Sequence, residues 1–265
     1  MNIVIIVQAR CSSSRLPNKV LLPLIDKPLL IRQLERVAKS LFSNNIVVAT
    51  SYEQSDDILE KLCYENGFEV FRGNLTDLLD RHYQAAKFYK ADAVVKIPSD
   101  CPLIDPKIID KVLNFFIQNS DKYDYVSNLH PATYPDGNDV EVMNFSVLEK
   151  AWFEAKKDFE REHTTPYIWE NNDKFRIGNV VWETGLDYSM SHRFTIDYPE
   201  DFQFIKTVYE RLFPNNPYFS LEDILNLLEA EPEIKKINEK YIGVNWYRNH
   251  LKDLKTITPD QTKII

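Results

Sequence analysis

Arg10, Arg15 and Lys19 are interleaved with Ser12, Ser13 and Ser14 in the stretch QARCSSSRLPNK (8–19), directly behind the apolar run IVIIV (3–7). Cations and hydroxyls at the end of a buried strand, together with the N–H groups of a turn, suit a polyphosphate. A solvated loop with surface cations is the plainer alternative. The loop has neither the GKS/T of a Walker A loop nor the GxGxxG of a dinucleotide fingerprint. Two aspartates stand at other predicted strand ends, Asp100 in PSDCPLIDP and Asp197 in TIDYPEDF. Asp105 before Pro106 reads as a helix N-cap with proline at the first helical position, which leaves Asp100, five residues earlier, unexplained by turn chemistry. Asp197 has a competing reading as a residue near the N-cap of the helix that Pro199 opens. Two carboxylates opposite a cationic loop match Mg²⁺ held by one or two carboxylates plus substrate phosphates.

Other candidates are more ambiguous. Asp139 and Glu141, two apart in YPDGNDVEV (134–142), project from one face of a strand. They would bind sugar hydroxyls or a second cation, or form a polar stripe facing solvent. His163 in EREHTTPYIW sits at a helix start, as a ligand contact or as a structural residue. Asp80 and Arg81 fall on one helix, where an ordinary ion pair is the default.

The elements that must position these residues alternate through the first half. Strands are predicted at 3–7, 46–50, 69–71 and 93–97, and helices at Pro28–Phe42, Asp56–Asn66, Asp77–Tyr89 and Pro106–Gln118. Leu30, Leu34, Val37 and Leu41 make an apolar stripe on the first helix, and Gly67 follows the second as a C-terminal stop. Near-continuous apolar strands alternating with helices predict an α/β fold with a mostly parallel sheet covered on both faces. Ligands in such sheets bind beyond the carboxyl ends of the strands, where the candidate loops lie. The second half is mixed, with strands at 139–145, 175–182 and 192–196 and helices at 146–156, 161–171, 199–212, 220–229 and 232–240. From about residue 243 weak periodicity and many charges predict a loosely packed tail or an oligomer contact.

The bulk numbers exclude several classes. With 265 residues, 44% hydrophobic and 27% charged, the chain can bury a large single core. A net charge of −8 without a long basic run argues against nucleic acid as partner. Three scattered cysteines fit neither a disulfide framework nor a zinc site and predict reduced thiols in the cytoplasm. No apolar stretch is long enough to cross a membrane, and no targeting segment is evident at the N-terminus.

The motifs in combination resemble the sugar cytidylyltransferases, which include the 3-deoxy-manno-octulosonate and acylneuraminate enzymes, and resemble most the spore coat polysaccharide biosynthesis protein F group. QARCSSSRLPNKVL, VVATS, VFRGNLTDLLDRHYQAA, IPSDCPLIDP, YDYVSN, YPDGNDVEV, EREHTTPYI, TIDYPEDF and FSLEDILNLLE carry the likeness over residues 1–240, leaving 241–265 as the tail. The resemblance implies a single GT-A-like nucleotidyltransferase domain, CTP as donor, Mg²⁺ as cofactor, an acidic sugar as acceptor and a homodimer. It implies that Arg10, Ser13, Arg15 and Lys19 hold the triphosphate, with Gln8 and Ala9 beside the base or ribose and Arg72, Asp80 and Arg81 near the nucleotide. Asp100 and Asp197 match the metal-binding aspartates, and Asp139, Glu141 and His163 fall toward the acceptor. The family loop often has glycine where this chain has Ser12 and Asn18. Asn tolerates the left-handed conformation, so Asn18 is expected to keep the turn. Competing activities are nucleotidyl transfer to a sugar or polyol phosphate, glycosyl transfer on a GT-A fold, and nucleotide binding without catalysis.

Overall fold

The computed structural model describes residues 1–265. The alternating half runs β1 (Ile3–Gln8), a small hairpin of β2 (Pro23–Leu24) and β3 (Lys27–Pro28), α1 (Leu29–Val37), β4 (Ile46–Ser51), α2 (Asp57–Glu65), β5 (Glu69–Gly73), α3 (Leu78–Phe88), β6 (Ala93–Pro98) and α4 (Pro106–Gln118). The second half holds β7 (Tyr125–Ser127), β8 (Glu141–Asn144), α5 (Phe145–Glu154), α6 (Asp158–His163), α7 (Pro166–Trp169) and β9 (Ile177–Asn179). It closes with α8 (Pro199–Leu212), α9 (Leu221–Ala230) and α10 (Pro232–Lys236).

Seven strands form one sheet in the order β5-β4-β1-β6-β8-β7-β9. The first four are parallel, with Ile5 opposite Ile46 and Ile3 opposite Ala93, whereas β8 runs antiparallel to both β6 and β7. Alternation along β1 feeds two cores. Ile5 and Val7 point into the layer that contains Leu30 of α1, Ile109 of α4 and Phe204 of α8. Val4 and Ile6 point into the opposite layer with Leu79 and Tyr83 of α3 and Leu148 of α5. All four β1 side chains are fully buried, each contributing roughly 1.5–3 kcal/mol. The mostly parallel α/β sheet with helices on both faces is the architecture that the apolar runs predict. No helix is long and apolar enough to cross a membrane.

Four details differ from expectation. The first helix ends at Val37, because Asp110 of α4 accepts from Ser40 Oγ and the Leu41 N–H (2.6 and 2.9 Å) and draws the chain into turns; Leu41 is 79% exposed. The helix expected over 161–171 breaks at Thr164, whose φ of 75° lies outside the helical region. Residues 192–196 do not join the sheet and instead make a single bridge between Asp136 and Arg193. That close approach requires Gly137, with φ 109°, since a Cβ there would lie 2.6 Å from the Phe194 carbonyl carbon. Residues 243–265 are seated rather than loose. Leu254 and Ile257 are buried in the core beside α5, and Glu170 accepts the N–H groups of Lys255 and Thr256 at 2.6 and 2.9 Å. Their turns have no helical period, so this packing leaves no amphipathic signal in the sequence.

Candidate active site

The loop after β1 is shaped by hydrogen bonds rather than by glycine. Ser13 and Asn18 both donate their N–H groups to the Cys11 carbonyl at 2.9 Å, closing the turn, and Asn18 adopts φ 57°. The left-handed position is therefore filled by asparagine, which tolerates it. Buried Asp56, which follows β4, fixes the loop from below. Its Oδ1 accepts the Cys11 N–H at 2.8 Å, and its Oδ2 accepts the N–H (3.3 Å) and hydroxyl of Ser51. Burial pushes the Asp56 carboxyl up, but the bonds from Ser51 and Cys11 outweigh it and hold the group below its ordinary value. The N–H groups of Ser12, Ser14 and Arg15 make no hydrogen bond within the protein. They remain available to an anion.

Asp100 and Asp197 converge although 97 residues separate them. The Asp100 carbonyl accepts from Ile196 N–H and Thr195 Oγ1, both at 2.9 Å, which seats the segment bearing Asp197 against the end of β6. The Lys19 ammonium lies between the two carboxylates, 3.1 Å from Asp197 Oδ1 and 3.9 Å from Asp100 Oδ2. Arg15 pairs with Asp197 at 2.6 Å and stands over the Tyr198 ring. Burial opposes the Asp197 charge, but Lys19, Arg15 and Arg193 pull its pKa down to about 2. Arg193 is itself buried and forks onto Asp201, with Asp136 and Asp197 at 3.3 and 3.4 Å. Arg193, Asp201, Asp136 and Asp56 hold the site in shape, and none stands out in the sequence, because their partners are brought together only by the fold. Asp201 lies in the quoted TIDYPEDF motif, where its carboxylate caps the N–H groups of Asp197 and Tyr198.

Beyond these aspartates opens a cavity of about 480 Å³. Gln8, Arg15, Asp100, Asp197, Asp139, Glu141 and His163 are among the residues that line it. Glu141 is ion-paired with Lys96 of β6 and accepts from the Tyr125 hydroxyl at 2.6 Å; burial opposes its charge, and these partners hold its pKa below the ordinary value. His163 stacks on Trp246 with ring centroids 3.8 Å apart, and burial lowers its pKa to about 3, so the imidazole is neutral. Asp139 has its pKa raised to about 7, by burial and then by the charge of Asp100.

The remaining predicted residues divide. Ala9 is buried at the strand end, and Gln8 presents a side-chain oxygen with no partner. Ser13 Oγ accepts the Leu16 N–H at 3.4 Å, a bond inside the loop. Arg10 donates to the Leu75 carbonyl at 3.2 Å and stands close to Arg81. Arg81 packs against Gly73, where an added Cβ would meet its Cγ at 2.9 Å, and leaves Nε and Nη1 unpaired. Burial, then the charge of Arg10, lowers its pKa to about 10. Arg72 and Asp80 face elsewhere. Arg72 is taken up by the carbonyls of Ser51 and Glu53 and by Asp57 and Glu60, and Asp80 accepts from Gln84 and from Trp152 Nε1. Of the residues in this group, Gln8 alone lines the cavity.

A sequence model of the cytidylyltransferase family matches residues 4–241. The chain belongs to this family. The cytidylyltransferase is 32% identical over 237 residues to the spore coat polysaccharide biosynthesis protein SpsF of Bacillus subtilis, covering 88% of this chain and 96% of that protein. Among solved structures it is similar to a cytidylyltransferase from Leptospira borgpetersenii, with 37% identity, a TM-score of 0.84, and 89% and 97% of the two chains covered. It also shares its fold with a CMP:2-keto-3-deoxy-manno-octonic acid synthetase solved with CTP, at a TM-score of 0.62, 17% identity and 80% and 99% coverage. The resemblance carried by the loop and strand-end motifs is thus a family relationship, and the protein is a nucleotidyltransferase enzyme.

Proposed function

We propose that this cytidylyltransferase transfers CMP from CTP to a sugar acid, releasing pyrophosphate and giving a CMP-activated sugar for a surface glycan in the cytoplasm. The observation that carries the reading is the Lys19 ammonium seated between Asp100 and Asp197 beneath the β1 loop. Two hard-oxygen carboxylates already share a cation there, beside unpaired loop N–H groups that suit phosphates. No group of three His, Cys, Asp or Glu closes into a cage, and Mg²⁺ bound through one or two carboxylates plus substrate oxygens needs none. Asp100 and Asp197 would hold Mg²⁺, which when bound supplies Lewis-acid polarisation of phosphate oxygens.

The chain's own residues do the rest by position and charge. The loop amides of Ser12, Ser14 and Arg15 receive phosphate oxygens. Arg15 and Lys19, paired with carboxylates in the structure, exchange those partners for the β- and γ-phosphates. An acceptor hydroxyl forms its bond to the α-phosphorus as the bond from that phosphorus to the bridging oxygen breaks, the hydroxyl proton passes to solvent water, and Arg15 and Lys19 neutralise the departing pyrophosphate. Arg193 and Asp201 keep Asp197 aimed throughout.

The test is pyrophosphate release from CTP with Mg²⁺ and a panel of 2-keto-3-deoxy sugar acids, sugar phosphates and polyol phosphates. Turnover with an acid supports the reading, whereas turnover confined to phosphate acceptors assigns a diphospho-linked product instead. Specific nucleotide binding stabilises the fold, by about 2.7 kcal/mol at a hundredfold excess over Kd, so CTP should raise Tm more than ATP, GTP or UTP.

A further inference from the structure

Four cationic side chains line the cavity: Arg15, Lys96, Arg193 and Arg248. Arg15 is paired with Asp197, Lys96 with Glu141, and Arg193 with Asp136, Asp197 and Asp201. Arg248 has no carboxylate partner. Its Nη2 donates to the Tyr198 hydroxyl at 3.2 Å, and its Nη1 is shut off from solvent without a hydrogen bond. A buried guanidinium N–H without a partner is unfavourable, and the oxygen of an anion in the cavity relieves it.

Arg248 belongs to the segment 243–265, beyond the span that matches the family. This segment is anchored at several points. Arg193 donates to the Val244 carbonyl at 2.7 Å, Asn245 donates to the Gln261 carbonyl at 2.8 Å, and the Lys263 N–H donates to the Gly243 carbonyl at 2.7 Å. Trp246 presents its ring to His163 and, with Trp169 and Tyr247, gives the cavity an aromatic wall of the kind that packs on the apolar face of a pyranose.

We propose that residues 243–265 form an acceptor-recognising strap, in which Arg248 binds the carboxylate of the sugar and Trp246 supplies its stacking surface. The proposal rests on the sugar-acid reading above. One unpaired guanidinium matches one negative charge, whereas a phosphate dianion would call for a second cation; Lys96 and Arg193 are held by the buried carboxylates of Glu141 and Asp201, and Arg15 is given to the nucleotide. Placement agrees with the chemistry. In a 2-keto-3-deoxy acid the carboxylate is attached to the carbon that bears the reacting hydroxyl. Arg248 is bonded to Tyr198, the neighbour of Asp197, and so stands at the reacting end of the cavity.

The test compares steady-state kinetics of the full-length enzyme with Arg248→Gln and Arg248→Lys, using CTP, 2-keto-3-deoxy sugar acids and their carboxamides. Loss of a charge-assisted fork is expected to raise KM for the acid by about tenfold or more, while KM for CTP moves by less than about twofold. The parent should prefer acid to carboxamide, Arg248→Gln should lose that preference, and Arg248→Lys should regain part of it. If Arg248→Gln is too unstable to assay, Arg248→Lys decides, because lysine keeps the charge and loses the bidentate geometry. An unchanged acid preference in the variants, or an equal rise in KM for CTP and acceptor, overturns the strap. A parent that turns over acids with Arg248 variants indistinguishable from it removes the strap alone; a parent inactive with every acid removes the sugar-acid reading itself.

Discussion

Asp56 does not line the 480 Å³ cavity, yet the shape of the β1 loop hangs on it. Its two oxygens accept different backbone donors, Oδ1 from Cys11 and Oδ2 from Ser51. Asp56→Asn keeps the volume but turns one oxygen into an NH₂ group, which leaves one of those buried N–H groups facing another donor. An unsatisfied buried donor costs about 1–3 kcal/mol. For a chain of this size that is a fall in Tm of about 2–6 °C. The freed Cys11 segment displaces the loop amides and Arg15, so KM for CTP should rise by about tenfold. The pH dependence carries a sign. Because the native pKa of Asp56 lies below its ordinary value, its contribution is present above the ordinary carboxylate range and is lost as pH falls through the native pKa. The gap in stability between parent and variant should therefore close in acid. Urea melts at several pH values, with KM for CTP from pyrophosphate release, measure both effects. A variant melting within about 1 °C of the parent at neutral pH, with KM unchanged, would show that the loop does not depend on this carboxylate.

Three further outcomes are expected. Asp100→Asn and Asp197→Asn should each lower pyrophosphate release by at least about a hundredfold, with circular dichroism unchanged; near-parental release by either would refute its place in the reaction. Removal of divalent cations with EDTA should abolish release, and added Mg²⁺ should restore it, while the melting temperature without nucleotide stays constant. Asp139, with its pKa raised to about 7 by burial and the nearby Asp100, has the opposite sign to Asp56. Its raised pKa makes the fold most stable at low pH and weakens it as pH rises toward 7, so Asp139→Asn should be more stable than the parent at pH 8, by up to about 4 kcal/mol, and equal to it near pH 4.

The alternating half was legible because its information is local. IVIIV, IVVAT and AVVKI are contiguous apolar runs, and each ends in polar residues that a parallel sheet must deliver to one edge. Asp100 was legible for the same reason, at the end of β6, whereas Asp197 follows a segment outside the sheet and is brought to Asp100 by the bonds of Thr195 and Ile196 to the Asp100 carbonyl. β7 has only three residues and shows no period, and 192–196 has strand-like composition but pairs through one bridge at Gly137. The charges around Arg193 come from residues 136, 197 and 201, and the cavity wall from residues near 246. No window of neighbouring residues contains such a constellation. Arg72 was singled out only by its motif position, and in the structure its guanidinium pairs with Asp57 and Glu60 of α2.

The stacked pair of His163 and Trp246 makes the enzyme its own optical probe. Of four tryptophans, only Trp169 and Trp246 border the cavity. A sugar entering the cavity displaces water beside them and changes the polarity around the indoles, so intrinsic emission should shift as the cavity fills, without a label. Trp246→Phe and Trp169→Phe would apportion the signal between the two walls and separate arrival of the acceptor from that of the nucleotide in a stopped-flow trace.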